Sequence, residues 1–373
     1  MTELAKAWLN GQPVAPARAA AAAASLLAAS RSAVLAGLGT DVAGARASVA
    51  LARAIGASID HMDAEAVFAN LEVMRRAGWI VTTPLQTRAR ADVVLLVGDG
   101  LLEAWPDMAA RLALSEAPRV TGGGRQVVHL CPGAELAEST ATPRVMATPG
   151  PAIHVLPTVA AGKLVLPTLA ALRAIVAGRN TSLDEAAAAS LRNLAATLTA
   201  ARFGVIVWSS ATLDTLAVEM LCGLIDDLNR TTRFAGLPLA PANGAEAVTQ
   251  TLTWTTGFPP RTGFAAPAPQ HDPWRFDAGR LIASGEADAA VWISAFSPKP
   301  PDWEPTIALV PAGTAFPTPP QVVFEVGCPG RDHDAMLFDP ALGGIAFAAA
   351  STPSATASVA GVLAAITEAL PPC

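Results

Sequence analysis

Short, almost wholly apolar runs alternate along the chain with amphipathic stretches, the pattern of buried strands and helices following one another. Residues 16–30 read as a helix, with Pro16 suited to its first turn. Arg31-Ser-Ala-Val-Leu-Ala-Gly37-Leu-Gly39-Thr40 then reads as a strand ending in a glycine turn, with Thr40 or Asp41 placed to cap the next helix. That helix, over 42–55, sets Val42, Val49 and Ala52 near one face and stops at Gly56. Apolar strands recur over 91–98 and 126–130, the latter running into Cys131-Pro132-Gly133. Strands apolar on both sides and separated by helices predict a parallel sheet covered on each face.

The second half repeats the plan. A strand over 202–210 is followed by a helix over 212–229, Ala287-Asp288 opens a strand as Ala91-Asp92 does, and Val322-Val323 runs to Cys328-Pro329-Gly330. Ala91 and Cys131 are 40 positions apart, Ala287 and Cys328 are 41. The expectation is an α/β protein of two related, doubly wound parallel-sheet lobes facing each other across a pseudo-twofold cleft. The boundaries expected are 1–150 for the first lobe, completed by 320–373, and 151–320 for the second. Candidate linkers are 142–151 and 178–184. Residues 255–273, rich in Pro and Thr, form a loop too long to be idle in a compact fold.

A length of 373 residues supports two or three domains. Apolar residues reach 52% and charged ones only 15%, with a mean hydropathy of +0.40. No run of about 20 apolar residues exists to cross a bilayer, however: residues 153–172 carry Lys163, Pro157 and Pro167, and 345–366 are weakly apolar alanine, serine and threonine. The N-terminus has Glu3 and Lys6 without a signal-peptide core. A soluble, cytoplasmic protein without a membrane partner is expected. The net charge of −6 argues against nucleic acid. So little charge also leaves a surface poorly protected against association, which favours an obligate hetero-oligomer; the competing explanation is a GC-rich genome, since lysine occurs only at 6, 163 and 299.

Candidate chemistry is sparse. Gly37-x-Gly39 before a capped helix is a phosphate-binding possibility, but Val42 breaks the full pattern and a tight strand-to-helix turn explains the glycines better. Thr121-Gly122-Gly123-Gly124-Arg125 suits either an anion-binding nest or, more simply, a turn. His61, His129, His154, His271 and His333 show no metal-ligand spacing. Asp60-His61-Met62-Asp63 and Arg331-Asp332-His333-Asp334 place carboxylates beside imidazoles, for which a surface turn is expected rather than an acid–base pair. Cys131, Cys222, Cys328 and Cys373 are too scattered for a disulfide framework or metal site. No catalytic, cofactor-binding or metal-binding residue is assigned.

Asn10-Gly11-Gln12-Pro13-Val14, Gly56-Ala57-x-x-Asp60, Arg90-Ala91-Asp92, Gly124-Arg125, Gly285-Glu286-Ala287-Asp288 and Gly327-Cys-Pro-Gly330-Arg-Asp332-His-Asp334 together resemble the B subunits of formylmethanofuran dehydrogenases. Thr256-Gly-Phe-Pro-Pro-Arg-Thr-Gly263 and Asp272-Pro-Trp274-Arg-Phe276 look closest to their bacterial branch, the B subunits of formyltransferase/hydrolase complexes. The resemblance implies a molybdopterin-oxidoreductase type of fold, whose two lobes hold a bis-pterin tungsten or molybdenum centre. It also implies a place in methylotrophic one-carbon metabolism: a formyl group passes from tetrahydromethanopterin to a methanofuran-type carrier and is hydrolysed to formate. That chemistry is assigned to the A and D subunits, while the C subunits resemble the remaining dehydrogenase component.

Two departures set the expected role. The redox relatives carry a cysteine-rich [4Fe–4S] motif near the N-terminus and a metal-binding Cys or selenocysteine soon after the segment matching Gly56 to Asp60. Here the first 130 residues contain no cysteine, and residues 61–78 offer only the thioethers of Met62 and Met74. Such centres need thiolates. The expectation is a non-catalytic scaffold subunit with a cofactor-free cleft, partnered by sister subunits A, C and D. The alternatives are a subunit that retains a pterin or metal and a redox role, and a carrier-binding module using Arg125, Arg261 or Arg331.

Overall fold

The computed structural model describes residues 6–98, 101, 107–131, 144–146, 153–157 and 165–372. The chain divides into two compact units, Met1–Ala64 with Pro241–Asp339 and Gly344–Cys373, and Glu65–Ala240 with Pro340–Gly343. The second unit is thus inserted into the first, which differs from the boundaries expected at 150 and 320. Residues 178–184, expected as a linker, join two helices inside the second unit. Most of 142–151 lies outside the described residues, apart from a short strand at 144–146.

The first unit opens with β1 (Ala7–Leu9) and β2 (Gln12–Val14), joined by Asn10 and Gly11 at φ 48° and 75°. Both turn residues need positive φ, which is why Asn-Gly stands there. Then come α1 (Pro16–Ala29), β3 (Ala33–Gly39), α2 (Val42–Ile55) and β4 (Ser58–Ile59). The inserted unit runs α3 (Ala64–Ala77), α4 (Pro84–Arg90), β5 (Val93–Val97), α5 (Met108–Arg111), β6 (Gln126–Cys131), β7 (Arg144–Met146), β8 (Ile153–Pro157), α6 (Val165–Val176), α7 (Glu185–Thr199), β9 (Gly204–Ser209), α8 (Thr215–Leu228) and β10 (Phe234–Leu239). The chain returns through α9 (Ala245–Thr256), β11 (Thr262–Gly263), β12 (Gln270–His271), α10 (Ala278–Ala283), β13 (Ala289–Ser294), β14 (Ile307–Val310), β15 (Val322–Glu325), the hairpin β16 (Ala335–Asp339) and β17 (Gly344–Ala348), and α11 (Val359–Glu368).

The first sheet has the order β12-β11-β4-β3-β13-β14-β15-β1-β2, parallel from β4 to β15 with antiparallel flanks. The second is β10-β9-β5-β6-β8-β7, parallel up to the β8–β7 pair. Alternate residues of each central strand serve opposite cores: Val291 and Ile293 pack with Leu35 and α11, while Ala290 and Trp292 pack with Val34 and α10. In the second unit Leu95 and Leu96 divide in the same way. Both-face burial is the physical reason these strands are apolar throughout. The chain is an α/β protein built on parallel sheets.

The repeated Ala-Asp dipeptide has one structural meaning in both units. Asp288 precedes β13 and accepts hydrogen bonds from the Arg31 and Ser32 amides, at 3.0 Å each, where the chain enters β3. Asp92 precedes β5 and accepts from the Arg202 and Phe203 amides, again at 3.0 Å each, at the entry to β9. Each aspartate ties down the mouth of the neighbouring parallel strand. Around Asp288, the Ser30 hydroxyl and the two amides hold the carboxyl well below the usual carboxylate range. The Cys-Pro-Gly parallel does not hold topologically. β6 pairs directly with β5, whereas β14 intervenes between β13 and β15. β14, Ile-Ala-Leu-Val between Pro-rich stretches, is too short to read from the pattern.

Candidate functional site

The segments that carry the bacterial resemblance meet around a buried ion network in the first unit. Asp60 follows β4 and is 4% exposed. Its Oδ1 accepts from the His61 amide at 2.8 Å and its Oδ2 from the Ala278 amide at 2.9 Å. Arg261 enters from the long loop, its amide bonded to the Ile59 carbonyl at 2.8 Å. The Arg261 guanidinium lies 3.4 Å from Asp60 Oδ2, pairs with Asp277 Oδ2, and donates to the Pro273 carbonyl at 2.8 Å. Burial pushes the Asp60 carboxyl up to about 6, against the pull of Arg261.

Local chemistry explains the motifs. Arg261 sits at φ 62°, a left-handed conformation tolerated because β11 pairing and three guanidinium partners fix it from both sides. A Cβ on Gly263 would fall inside the Phe276 ring, so the two motifs close on each other only through glycine. Asp272 accepts from the Trp274 and Arg275 amides at 2.9 and 2.7 Å, making the turn into the Pro-Trp-Arg-Phe segment. Asp277 both pairs with Arg261 and caps α10 through the Arg280 amide at 2.6 Å. Sequence reasoning missed that role, although Asp before Ala-Gly-Arg-Leu is an N-cap signal. The loop at 255–273 is thus a fixed platform.

Asp60 and His61, expected in a surface turn, are buried. His61 Nδ1 accepts from the Asp63 amide at 2.9 Å, which leaves Nε2 to donate to the Asn243 carbonyl at 3.2 Å. Burial lowers its pKa, and a second ring proton would point at the Asp63 N–H. The Asp63 carboxylate accepts from Asn243 Nδ2 at 3.0 Å, so imidazole and carboxylate are neighbours whose contacts go to the backbone and to Asn243. His271 Nδ1 donates to the Arg261 carbonyl at 2.9 Å and its ring stacks on Phe258. His129 bonds the Gly98 carbonyl at 2.8 Å from within the second unit, and His333 turns Nδ1 to the Asp334 carbonyl at 3.0 Å. The His154 side chain lies outside the described residues.

The arginines considered as anion ligands resolve differently. Arg125 spends its guanidinium on the carbonyls of Thr87, Arg88, Ala91, Leu112 and Ala113. Arg261 is turned inward. Arg331 pairs with Asp332 at 2.8 Å and remains exposed. Gly122 and Gly123 occupy left-handed turn positions, with the Gly122 carbonyl held by Arg202 at 2.9 Å. Among the described residues no group of three or more His, Cys, Asp or Glu is placed to hold a metal ion. No helix among them is long and apolar enough to cross a membrane.

Comparison with known proteins places this architecture. No protein-family profile matches the chain. The B subunit of the tungsten-containing formylmethanofuran dehydrogenase 2 of Methanocaldococcus jannaschii is 23% identical over 250 residues, covering 64% of this chain and 54% of that protein. The crystal structure of the formyltransferase/hydrolase complex of Methylorubrum extorquens with methylofuran contains a chain that matches at a TM-score of 0.82 and 38% identity, over 97% of this chain and 98% of that one. The B subunit of the Methylorubrum extorquens complex is 38% identical over 374 residues, 98% of each protein. The Asp60–Arg261–Asp277 network therefore sits in a chain that belongs to the family of formyltransferase/hydrolase complex B subunits.

Proposed function

We propose that this chain is a non-catalytic scaffold subunit of a formyltransferase/hydrolase complex, with a molybdopterin-oxidoreductase type of fold that no longer holds the ancestral cofactor. It docks sister subunits A, C and D, of which A and D carry a formyl group from tetrahydromethanopterin to a methanofuran-type carrier and release formate. The observation that carries this reading is the donor set. After the Gly56 to Asp60 motif, where the redox relatives place a thiolate, residues 61–78 contain no cysteine. His61 is engaged by Asp63 and Asn243, Met62 packs beside Gly39, and Met74 lies exposed on α3. Of the remaining thiols, Cys222 is buried on α8 with its pKa pushed up to about 11 by burial, and Cys328 is raised by burial as well. Neither favours the thiolate that a soft metal needs. Among the described residues, the donor side chains do not fit the family's metal centre.

The apolar surface supports a docking role. Trp274, Trp254 and Phe347 are 72%, 66% and 65% exposed and offer apolar surface to a partner. The test is to purify the native assembly and the chain alone. The scaffold reading expects A, C and D to co-purify with the chain, no tungsten, molybdenum or iron assignable to it, and no formyl turnover by it in isolation. Stoichiometric metal in this chain would favour the second reading, a retained pterin and redox role, for which the likeness to a tungsten-containing relative speaks.

A further inference from the structure

We infer that the strand-end crevice of the first unit is closed by the chain's own residues, with the Asp41 carboxylate standing where a phosphate-bearing ligand would place its anion. The inference deepens the scaffold reading and rests on it for its meaning. Open parallel α/β sheets take such ligands outside the carboxyl ends of their strands, at the helix N-terminus beside the switch point. In this sheet the place lies beyond β3 and β13, at Gly39-Thr40-Asp41 and Ser294-Ala295-Phe296, under the first turn of α2.

Thr40 is fully buried and Asp41 is 4% exposed, its Oδ1 accepting the Gly44 amide at 2.9 Å. An acidic N-cap is ordinary helix capping when it faces water. Here a second segment is laid over it. Asn243 and Gly244 adopt φ 56° and 74°, and a Cβ on Gly244 would lie 2.6 Å from the Thr40 carbonyl oxygen and 3.0 Å from the Phe296 ring. That turn is pinned by His61 Nε2 to the Asn243 carbonyl at 3.2 Å and by Asn243 Nδ2 to Asp63 at 3.0 Å. From β13, Ser294 donates to the Ser297 carbonyl at 2.7 Å, so this loop too is satisfied internally. An incoming phosphate would meet the buried Asp41 carboxyl, which already occupies the Gly44 amide, and backbone already in contact. The second unit repeats the acidic cap: Asp214 accepts the Ala217 amide at 2.7 Å at the start of α8. His61 and Asn243 thereby acquire a role as the pins of the closure.

Hydrogen–deuterium exchange on the assembled complex tests this, read on peptides spanning 38–48 and 241–248 with GDP and inorganic phosphate as probes. The expected result is slow exchange in both peptides, unchanged by millimolar GDP or phosphate, and faster exchange across 38–48 in Gly244→Ala, where the new Cβ displaces the turn. Fast exchange in the wild type, protection of 38–48 by either probe, or an unaltered 38–48 in Gly244→Ala would overturn the closure. Should Gly244→Ala fail to assemble, the wild-type probe experiment still decides. Failure of the scaffold reading would look different, as metal or turnover in this chain with both peptides still silent to the probes.

Discussion

Asp60→Asn isolates the cost of keeping a carboxylate inside the Arg261 network. The carboxyl rises from 3.8 to about 6 on folding, and about 2 pKa units at 1.36 kcal/mol each correspond to about 3 kcal/mol. Because the folded pKa lies above the unfolded one, the folded state binds the proton more tightly. The stabilisation is complete below pH 3.8 and is lost as pH rises through about 6. About half of it, near 1.4 kcal/mol, disappears between about pH 5 and 7.5. Asparagine keeps the shape and carries no charge at any pH. The Asp60–Arg261 attraction that asparagine removes exists only for the ionised carboxylate and is already contained in the Asp60 pKa, so it adds nothing further to the pH dependence. Urea unfolding followed by tryptophan fluorescence at both pH values gives the comparison, and the stability difference between variant and wild type is expected to move by about 1.4 kcal/mol in favour of the variant at the higher pH. A difference that stays constant would refute the argument, because it would mean that burial does not disfavour the Asp60 anion.

The remaining outcomes concern Arg261, Gly263, the two strand-entry aspartates and the metal content. Arg261→Ala leaves Asp60 buried without its cation and is expected to cost about 3–5 kcal/mol in chemical denaturation; Arg261→Lys, which keeps the charge, should leave the apparent KM for the carrier unchanged in the assembled complex, since the guanidinium faces inward, and a raised KM would return Arg261 to the carrier site. Gly263→Ala forces the Phe276 ring to move and is expected to lower stability by about 1–3 kcal/mol, read as a reduced urea midpoint. Asp92→Ala and Asp288→Ala should each lower the urea midpoint, since each leaves two strand-entry amides without their acceptor; an unchanged midpoint in either would show that its clamp does not hold the neighbouring strand. Metal analysis of the native assembly is expected to assign no tungsten, molybdenum or iron to this chain.

Much of the fold was legible along the chain because parallel strands buried on both faces leave unbroken apolar runs and because caps are local chemistry. β3, α2 with its Asp41 cap and Gly56 stop, β5, β6, β9, α8 and β13 all lie where pattern and turn residues put them. The duplicated Ala-Asp marked a real structural equivalence, since an aspartate before one strand fastens the entry to its neighbour. β10, with Gly236 and Pro238 inside it, and the four-residue β14 had no periodicity to show. Missing β14 then misaligned the two halves.

Sequence by itself determined the class of structure, the Ala-Asp repeated at two strand starts, the lack of cysteine over 61–78 and, through its motifs, the family. Only the tertiary structure decided that the second unit is inserted within the first, that Asp60 and His61 are buried, that Arg125 and Arg261 face inward, and that Asn243–Gly244 lies over Thr40. The physical reason is range. Strand pattern, caps and donor chemistry are properties of a few consecutive residues, whereas burial, charge pairing and chain order in a sheet depend on residues about two hundred positions apart, such as Asp60 and Arg261, that only folding brings together.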